Sequence, residues 1–453
     1  ATYTFATPGV FTITLTVMDQ TGNLQTATLT LTVRDMTLPT ASILAAYENR
    51  TLEQFSLITF AGSASDNAAI AATWWLFNDG TGPMNVSGTS FSLVFSVVGT
   101  YTVTFYARDA AWNIASYWTS LTVARDSTAP SVNWIDAPLA GDDQTPLSYQ
   151  VSYTDNDPSC VGGCTLVWLV DGVPFASGTT AVTITWPPGQ HVLTFAATDA
   201  AGNRGASSVA VNIDQVVASD VTWLNVNVTM NWNLRIVNGA TFLIRDSTVW
   251  NSSTGVTVSI TVVSGRLILE NSQMVSTSAT SGFRITATGV DGGGSYLYFN
   301  RSTVSGLWDW ITVTNATLSA TDSTFTDVRM ASGGAVLGTN ANLYFTNVTI
   351  NASAITTTNG IRATYTSLIT LLQRREVIIE RLDARAVART PFAFTATGVT
   401  GTVDVTLRDS TLRSVNAVSG VRAIDITIAS STGVLNFNIR NVDAQSNVFG
   451  GLN

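Results

Sequence analysis

A pattern returns every 90 residues through the first half of this chain. Gly9, Gly99 and Gly189 are each followed ten residues on by Asp19, Asp109 or Asp199, and fourteen on by Asn23, Asn113 or Asn203. A fixed internal period restricts the fold to an array of similar modules. Inside each copy the apolar positions fall two apart: Phe11, Ile13, Leu15, Val17; Tyr101, Val103, Phe105, Ala107; and His191, Leu193, Phe195, Ala197. Period two with Thr between is the mark of a strand with one buried face. The lone histidine, His191, thus stands where the other copies carry an aromatic ring, and packing is its expected role. The Asp, Gly and Asn after each strand suit a turn in which Asx side chains bond nearby backbone. Trp112 replaces that glycine in the middle copy, which leaves the turn type there open.

Units of this length, made of short strands and turns, are what a β-sandwich requires. The middle unit carries Phe60-Ala-Gly-Ser-Ala-Ser-Asp66, Trp75 and Phe77-Asn-Asp-Gly-Thr81. It resembles the PKD domain, an Ig-like sandwich of mostly extracellular proteins, and the resemblance implies a spacer or adhesion module. The third unit keeps the terminal pattern and Trp168-Leu-Val-Asp-Gly172 and is read as PKD-like or Ig-like. The expected domains are a partial unit at 1–36, sandwiches at 37–127 and 128–216, and a different module at 217–453. Residues 1–36 hold only the last strands of a sandwich. Either the array is longer than this sequence, or these strands complete a neighbour's sheet.

The joints repeat as well. Arg34-Asp35-Met-Thr-Leu-Pro39 and Arg125-Asp126-Ser-Thr-Ala-Pro130 lie 91 residues apart, while the third joint, near Asp214, has no proline. Proline fixes φ and stiffens a short linker. Calcium at these joints is the alternative reading, but one Asp per joint supplies too few oxygens for a cation that takes about six to eight. No other cofactor and no catalytic residue is expected. The two cysteines, in Cys160-Val-Gly-Gly-Cys164, sit in a loop whose glycines let the chain double back. A disulfide staple between Cys160 and Cys164 is the preferred reading and indicates an oxidising compartment.

Residues 217–453 carry a second repeat. Aligned on Thr248, eight copies keep three apolar columns. The first runs Phe242, Leu267, Leu297, Leu318, Leu343, Val377, Val405, Phe437, and the second runs Ile244, Leu269, Phe299, Ala320, Phe345, Ile379, Leu407, Ile439. The third runs Val249, Met274, Val304, Phe325, Ile350, Ala384, Leu412, Ala444. Copies that vary in length yet share inward columns describe a coil of strands with insertions in its loops. This resembles the right-handed parallel β-helix of pectate-lyase-like and surface proteins, and the handedness is implied by the resemblance. The fold class is therefore all-β: tandem Ig-like sandwiches followed by a parallel β-helix of about eight rungs, roughly 38 Å long. Second strands are expected after Gly282, Gly360 and Gly420. No cap is visible at Gly450-Gly-Leu-Asn453, so further sequence is expected beyond it. Val377 and Ile379 fall in the apolar columns, so the arginine-rich stretch 368–389 reads as a rung and not as a basic amphipathic helix.

The column two before the alignment point reads Asp246, Asn271, Arg301, Asp322, Asn347, Arg381, Asp409, Asn441. Two carboxylates never stack on neighbouring rungs, where they would repel, so the column reads as a structural ladder. Asp291, Asp309 and Asp327 are the carboxylates that could converge in loops, as a polysaccharide hydrolase or lyase would require.

The chain has no lysine, its net charge is −9 and it contains no basic tract, which argues against nucleic acid. No run of 18 apolar residues exists to cross a membrane. Sequons stand at Asn49, Asn85, Asn227, Asn251, Asn300, Asn315, Asn347 and Asn351, which are glycosylation candidates if the chain is secreted. The expectation is a non-enzymatic extracellular glycoprotein segment of an S-layer, filament or adhesin, with other surface subunits, copies of itself or glycans as partners. A polysaccharide-binding or polysaccharide-degrading β-helix protein with PKD spacers is the alternative.

Overall fold

The computed structural model describes residues 2–44, 50–80, 82–251, 255–278, 280–289, 294–327, 334–352, 359–366, 373–387, 390–414 and 422–446. Gly9–Met18 and Leu24–Val33 form an antiparallel hairpin, in which Ile13, Leu15 and Val17 are exposed. In the next two units the same pattern is buried. The middle unit packs a five-stranded sheet against the three strands Thr40–Ile43, Leu57–Ser65 and Ser90–Val94. Trp75, Phe60, Val103 and Phe105 are fully buried between the sheets. The third unit repeats this with Trp168, Trp186, Leu193 and Phe195 at its centre.

The three repeat turns are alike. In each the Asp amide donates to the Asn carbonyl, at 3.1 Å in all three. Trp112 adopts φ 72°, close to the 91° and 90° of Gly22 and Gly202, so the turn type left open by the sequence is the same one. The guanidinium of Arg108 lies 3.9 Å from the Trp112 ring centroid, a contact that offsets the left-handed backbone of a bulky residue.

His191 does more than pack. Its ring lies 5.1 Å from that of Trp186, Nδ1 sits 2.8 Å from Asp171 Oδ2 and Nε2 3.0 Å from the Pro187 carbonyl. Burial raises the Asp171 carboxyl, but the hydrogen bonds from His191 and the Val192 amide outweigh it and hold the group below its usual value.

From Val221 onward the chain winds as a parallel β-helix with three strands per rung, as in Thr241–Arg245, Thr248–Asn251 and Val258–Val263. The first two apolar columns pair as the sequence repeat requires: Phe242 opposite Leu267, Leu343 opposite Val377, Leu407 opposite Ile439. An additional rung precedes the eight, because Val221, Trp223 and Val228 pair with Phe242, Ile244 and Val249. The third column stays buried, Ile350 and Ala384 included, but its strand register shifts once. A bulge after Thr349 sets Asn351 opposite Ala386, so Ile350 and Ala384 are not direct partners. Of the second strand expected after Gly420, Ile424–Ala429 is described, and Ile424 continues the column of Ile361 through Phe392; Gly420 itself lies outside the described residues.

The polar column is the corner of each rung. All eight of its residues have φ between 48° and 56°, and Asn225 joins them at 55°. Asp and Asn tolerate this left-handed region best among residues with a side chain. The ladder is bonded as well: Asn271, Asn347 and Asn441 donate to Asp246, Asp322 and Asp409 of the preceding rung at 2.6, 2.7 and 2.9 Å. Just inside it, the amides of Val226, Ser247, Ser272 and Ser302 donate to the Oγ of Ser247, Ser272, Ser302 and Ser323 on the following rung. These bonds satisfy backbone donors that the buried corner would otherwise strand.

The third joint is a shared strand. Arg204–Val217 pairs antiparallel with Gly189–Thr198 inside the sandwich, and its last residues, Gln215 to Val217, pair parallel with Leu234 to Ile236 of the coil. One 13-stranded sheet thus runs from the third unit into one face of the coil. The boundary expected at 216/217 falls at the end of this strand, and a proline there would remove the Val216 amide that donates to Asp143 Oδ1 at 2.8 Å.

Candidate metal centres at the joints

At the first two joints three strand ends converge. Asp35, Asp66 and Asp109 each place a carboxylate oxygen within 4.8 Å of the others, and Asp126, Asp155 and Asp199 repeat the arrangement one unit later. The first Asp of each set belongs to the linker. The other two belong to the sandwich that follows, at the ends of the strands Leu57–Ser65 and Gly99–Asp109 in one unit and of Leu147–Thr154 and Gly189–Thr198 in the next.

The repeat's Asp and Asn hold this geometry. Asn113 bonds both oxygens of Asp109, at 2.8 and 2.7 Å, and its Nδ2 also reaches the Asp35 carbonyl at 3.2 Å. Asn203 does the same with Asp199, at 2.8 Å twice, and with the Asp126 carbonyl at 3.1 Å. The asparagine therefore ties each linker to the turn that supplies the cluster's third carboxylate.

At the second joint the preceding unit also takes hold. The Asp126 amide donates to Gln54 Oε1 at 3.1 Å, and Asn156 Nδ2 donates to the Gln54 carbonyl and to Asp126 Oδ1. Glu53 accepts from Ser127 and Thr128, whose hydrogen bonds lower its pKa. Burial pushes the Asp155 carboxyl above its usual range, and the charges of Asp126, Asp199 and Asp157 add to this against the one Asp157 amide that favours ionisation. Two carboxylates 4.8 Å apart repel by about 3 kcal/mol at an effective dielectric constant of about 20, before solvent screening.

The loop that presents Asp155 is braced. Cys160 and Cys164 are disulfide-bonded, and the Cys160 amide donates to the Asp157 carbonyl at 3.1 Å. Closing so short a loop contributes about 2 kcal/mol by chain entropy.

No family model and no curated protein matches the chain. Solved structures do. The chain is similar to the fibronectin(III)-like modules of Clostridium thermocellum CbhA, at 16% identity over 39% of this chain and 95% of that one, with a TM-score of 0.19. It is similar to a Ca2+-stabilized adhesin with which an Antarctic bacterium binds ice, at 17% over 46% and 58%, with a TM-score of 0.20. A tetra-tandem repeat from the extending region of a large adhesion protein is similar at 20% over 46% and 57%, with a TM-score of 0.22.

The oxygen count expected from the sequence is corrected here: each joint gathers three carboxylates, not one. Asp66 and Asp109 at the first joint and Asp155 and Asp199 at the second were missed as members. The signal was Asp66-Asn67 recurring as Asp155-Asn156, 89 residues on.

Elsewhere the candidate residues do not converge. Among the described residues no cluster joins Asp309 with Asp327. Asp309 accepts from the Trp310 amide at 2.8 Å, and Asp291 lies outside the described residues. Of the sequons, Asn85, Asn227, Asn347 and Asn351 are exposed, Asn300 and Asn315 half-buried, and Asn49 outside the described residues. Asn251 is corrected: it is fully buried, and its Nδ2 donates to the Gly282 carbonyl at 3.0 Å, so no glycan can sit on it in the folded chain.

Proposed function

We propose that this chain is a segment of a non-enzymatic extracellular structural protein, a surface layer, filament or adhesin, with PKD-type sandwiches as spacers and the β-helix as a rigid end-to-end partner. The strand Arg204–Val217 carries the reading. A single strand hydrogen-bonded into both the sandwich and the coil resists separation of the two modules through main-chain bonds, as a load-bearing rod requires.

The coil's charges support the same reading. Arg245 pairs with Glu270 at 2.7 Å, Arg374 with Asp404 at 2.6 Å, Arg408 with Glu380 at 2.5 Å and Arg413 with Asp443 at 2.8 Å. All four pairs lie across the ladder of one face, stapling adjacent rungs instead of lining a cleft. Arg413 with Asp443 joins Thr402–Ser414 to Val434–Ser446, the neighbouring strand of the same sheet. Partners are then further copies or other surface subunits.

The test is to incubate the purified chain with a panel of acidic polysaccharides and to image it by electron microscopy. Ordered polymers or extended rods with intact polysaccharide are the expected result. Release of unsaturated or reducing ends would overturn the structural reading in favour of a lyase or hydrolase.

A further inference from the structure

The two acidic joints and the fused joint solve the same problem by different means. At the fused joint, backbone hydrogen bonds hold the modules together. At the acidic joints, buried oxygens on members of each cluster have no hydrogen-bond partner. Asp126 is 4% exposed and Asp35 9% exposed, and the Oδ2 of each accepts no hydrogen bond. Asp155 Oδ2 and Asn156 Oδ1 are orphaned at the second joint in the same way. A carboxylate oxygen shut away from water needs a donor or a cation. Among the described residues no arginine forms an ion pair with any of the six Asp side chains.

We propose that each cluster binds one calcium ion through its three aspartates, and that these ions lock the two spacer joints while the joint to the coil stays locked without one. The donor chemistry selects the metal. An all-oxygen set of carboxylates, joined at the second joint by the Asn156 amide oxygen, suits a hard cation. Zinc wants nitrogen or sulfur, and the two cysteines are disulfide-bonded. Magnesium demands near-ideal octahedral geometry and keeps several waters, whereas calcium accepts the irregular arrangement that three separate strand ends provide.

Because Asp35 and Asp126 are linker residues and their partners belong to the following sandwich, an ion at either site fixes the linker to that sandwich. Asp126 is also bonded through its amide to Gln54 of the preceding unit, so the second ion completes a bridge across the whole joint. The calcium supply rests on the extracellular location proposed above, but ion binding itself is read out independently of that location.

The experiment uses the full chain, stripped with EDTA and then given calcium chloride, with bound ions counted by native mass spectrometry. Two ions are expected. Asp66→Asn and Asp155→Asn keep an oxygen acceptor for the amides of Ala68 and Asp157 and remove the charge; each is expected to lose one ion, and the double variant both. Calcium is expected to raise the melting temperature of the sandwiches in the parent chain and not in the double variant, with the coil's transition unmoved. A parent chain that holds no calcium, a double variant that holds as many ions as the parent, or equal occupancy by magnesium would each overturn the proposal. None of these results depends on whether the coil assembles or cleaves polysaccharide, so the two readings fail separately.

Discussion

Leu343→Asp is expected to unfold the coil and leave both sandwiches folded. Leu343 is fully buried and stacks between Leu318 below and Val377 above in the first apolar column. An ionised carboxylate placed there has no partner within an apolar stack and costs several kcal/mol, well above the usual effect of a single substitution. A coil of rungs is stabilised mainly through nearest-neighbour contacts, so a broken central rung uncouples the two halves. The sandwiches have cores of their own around Trp75 and Trp168. Thermal unfolding followed by near-ultraviolet circular dichroism should show the coil's transition lost and the sandwich signal kept. A coil that melts at its parent temperature would refute the register.

Gly205→Ala is expected to destabilise the third unit strongly, by more than about 3 kcal/mol, with the coil spared. Gly205 lies opposite Ala197 in the strand pair that carries the repeat. A Cβ added to it would stand 1.7 Å from the Pro130 carbonyl oxygen and 2.7 Å from its carbon. Both are backbone atoms of the linker's stiff end, so the clash cannot be relieved by turning a side chain. Chemical denaturation monitored at the buried Trp168 and Trp186 should show an earlier sandwich transition. An unchanged midpoint would mean that the second linker does not pack against this strand.

The coil's core was legible because every rung repeats the same inward positions, so Leu267, Leu297 and Leu318 announce one column without knowledge of the loops between them. The first rung escaped because its corner reads Asn225-Val226-Asn227 and lacks the Ser-Thr found at four of the eight later corners, including the Asp246-Ser-Thr248 on which the copies are aligned. The acidic joints escaped for a different reason. Asp35 reads alone as a linker residue, Asp109 as a turn residue and Asp66 as the end of the motif Phe60–Asp66, and only folding brings three strand ends to one point. The period was informative even so: the Asp and Asn that recur every 90 residues are the pair that ties each linker to its turn, which a reading confined to turn chemistry leaves unexplained. The fused joint was visible only as a missing proline near Asp214, because continuity of a strand across two modules leaves no composition signal.

The central claim is that two joints are held by calcium and the third by the chain itself. Distance measurement between paired spin labels tests it most directly, since both cysteines are engaged in the disulfide. Trp118→Cys with Phe175→Cys spans the second joint, and Phe175→Cys with Leu224→Cys spans the third; all three positions are exposed, at 64%, 50% and 50%. With calcium, both pairs should give narrow distance distributions. With EDTA, the first should broaden and the second stay narrow. A second-joint distribution that remains narrow in EDTA, or a third-joint distribution that broadens with it, would contradict the account.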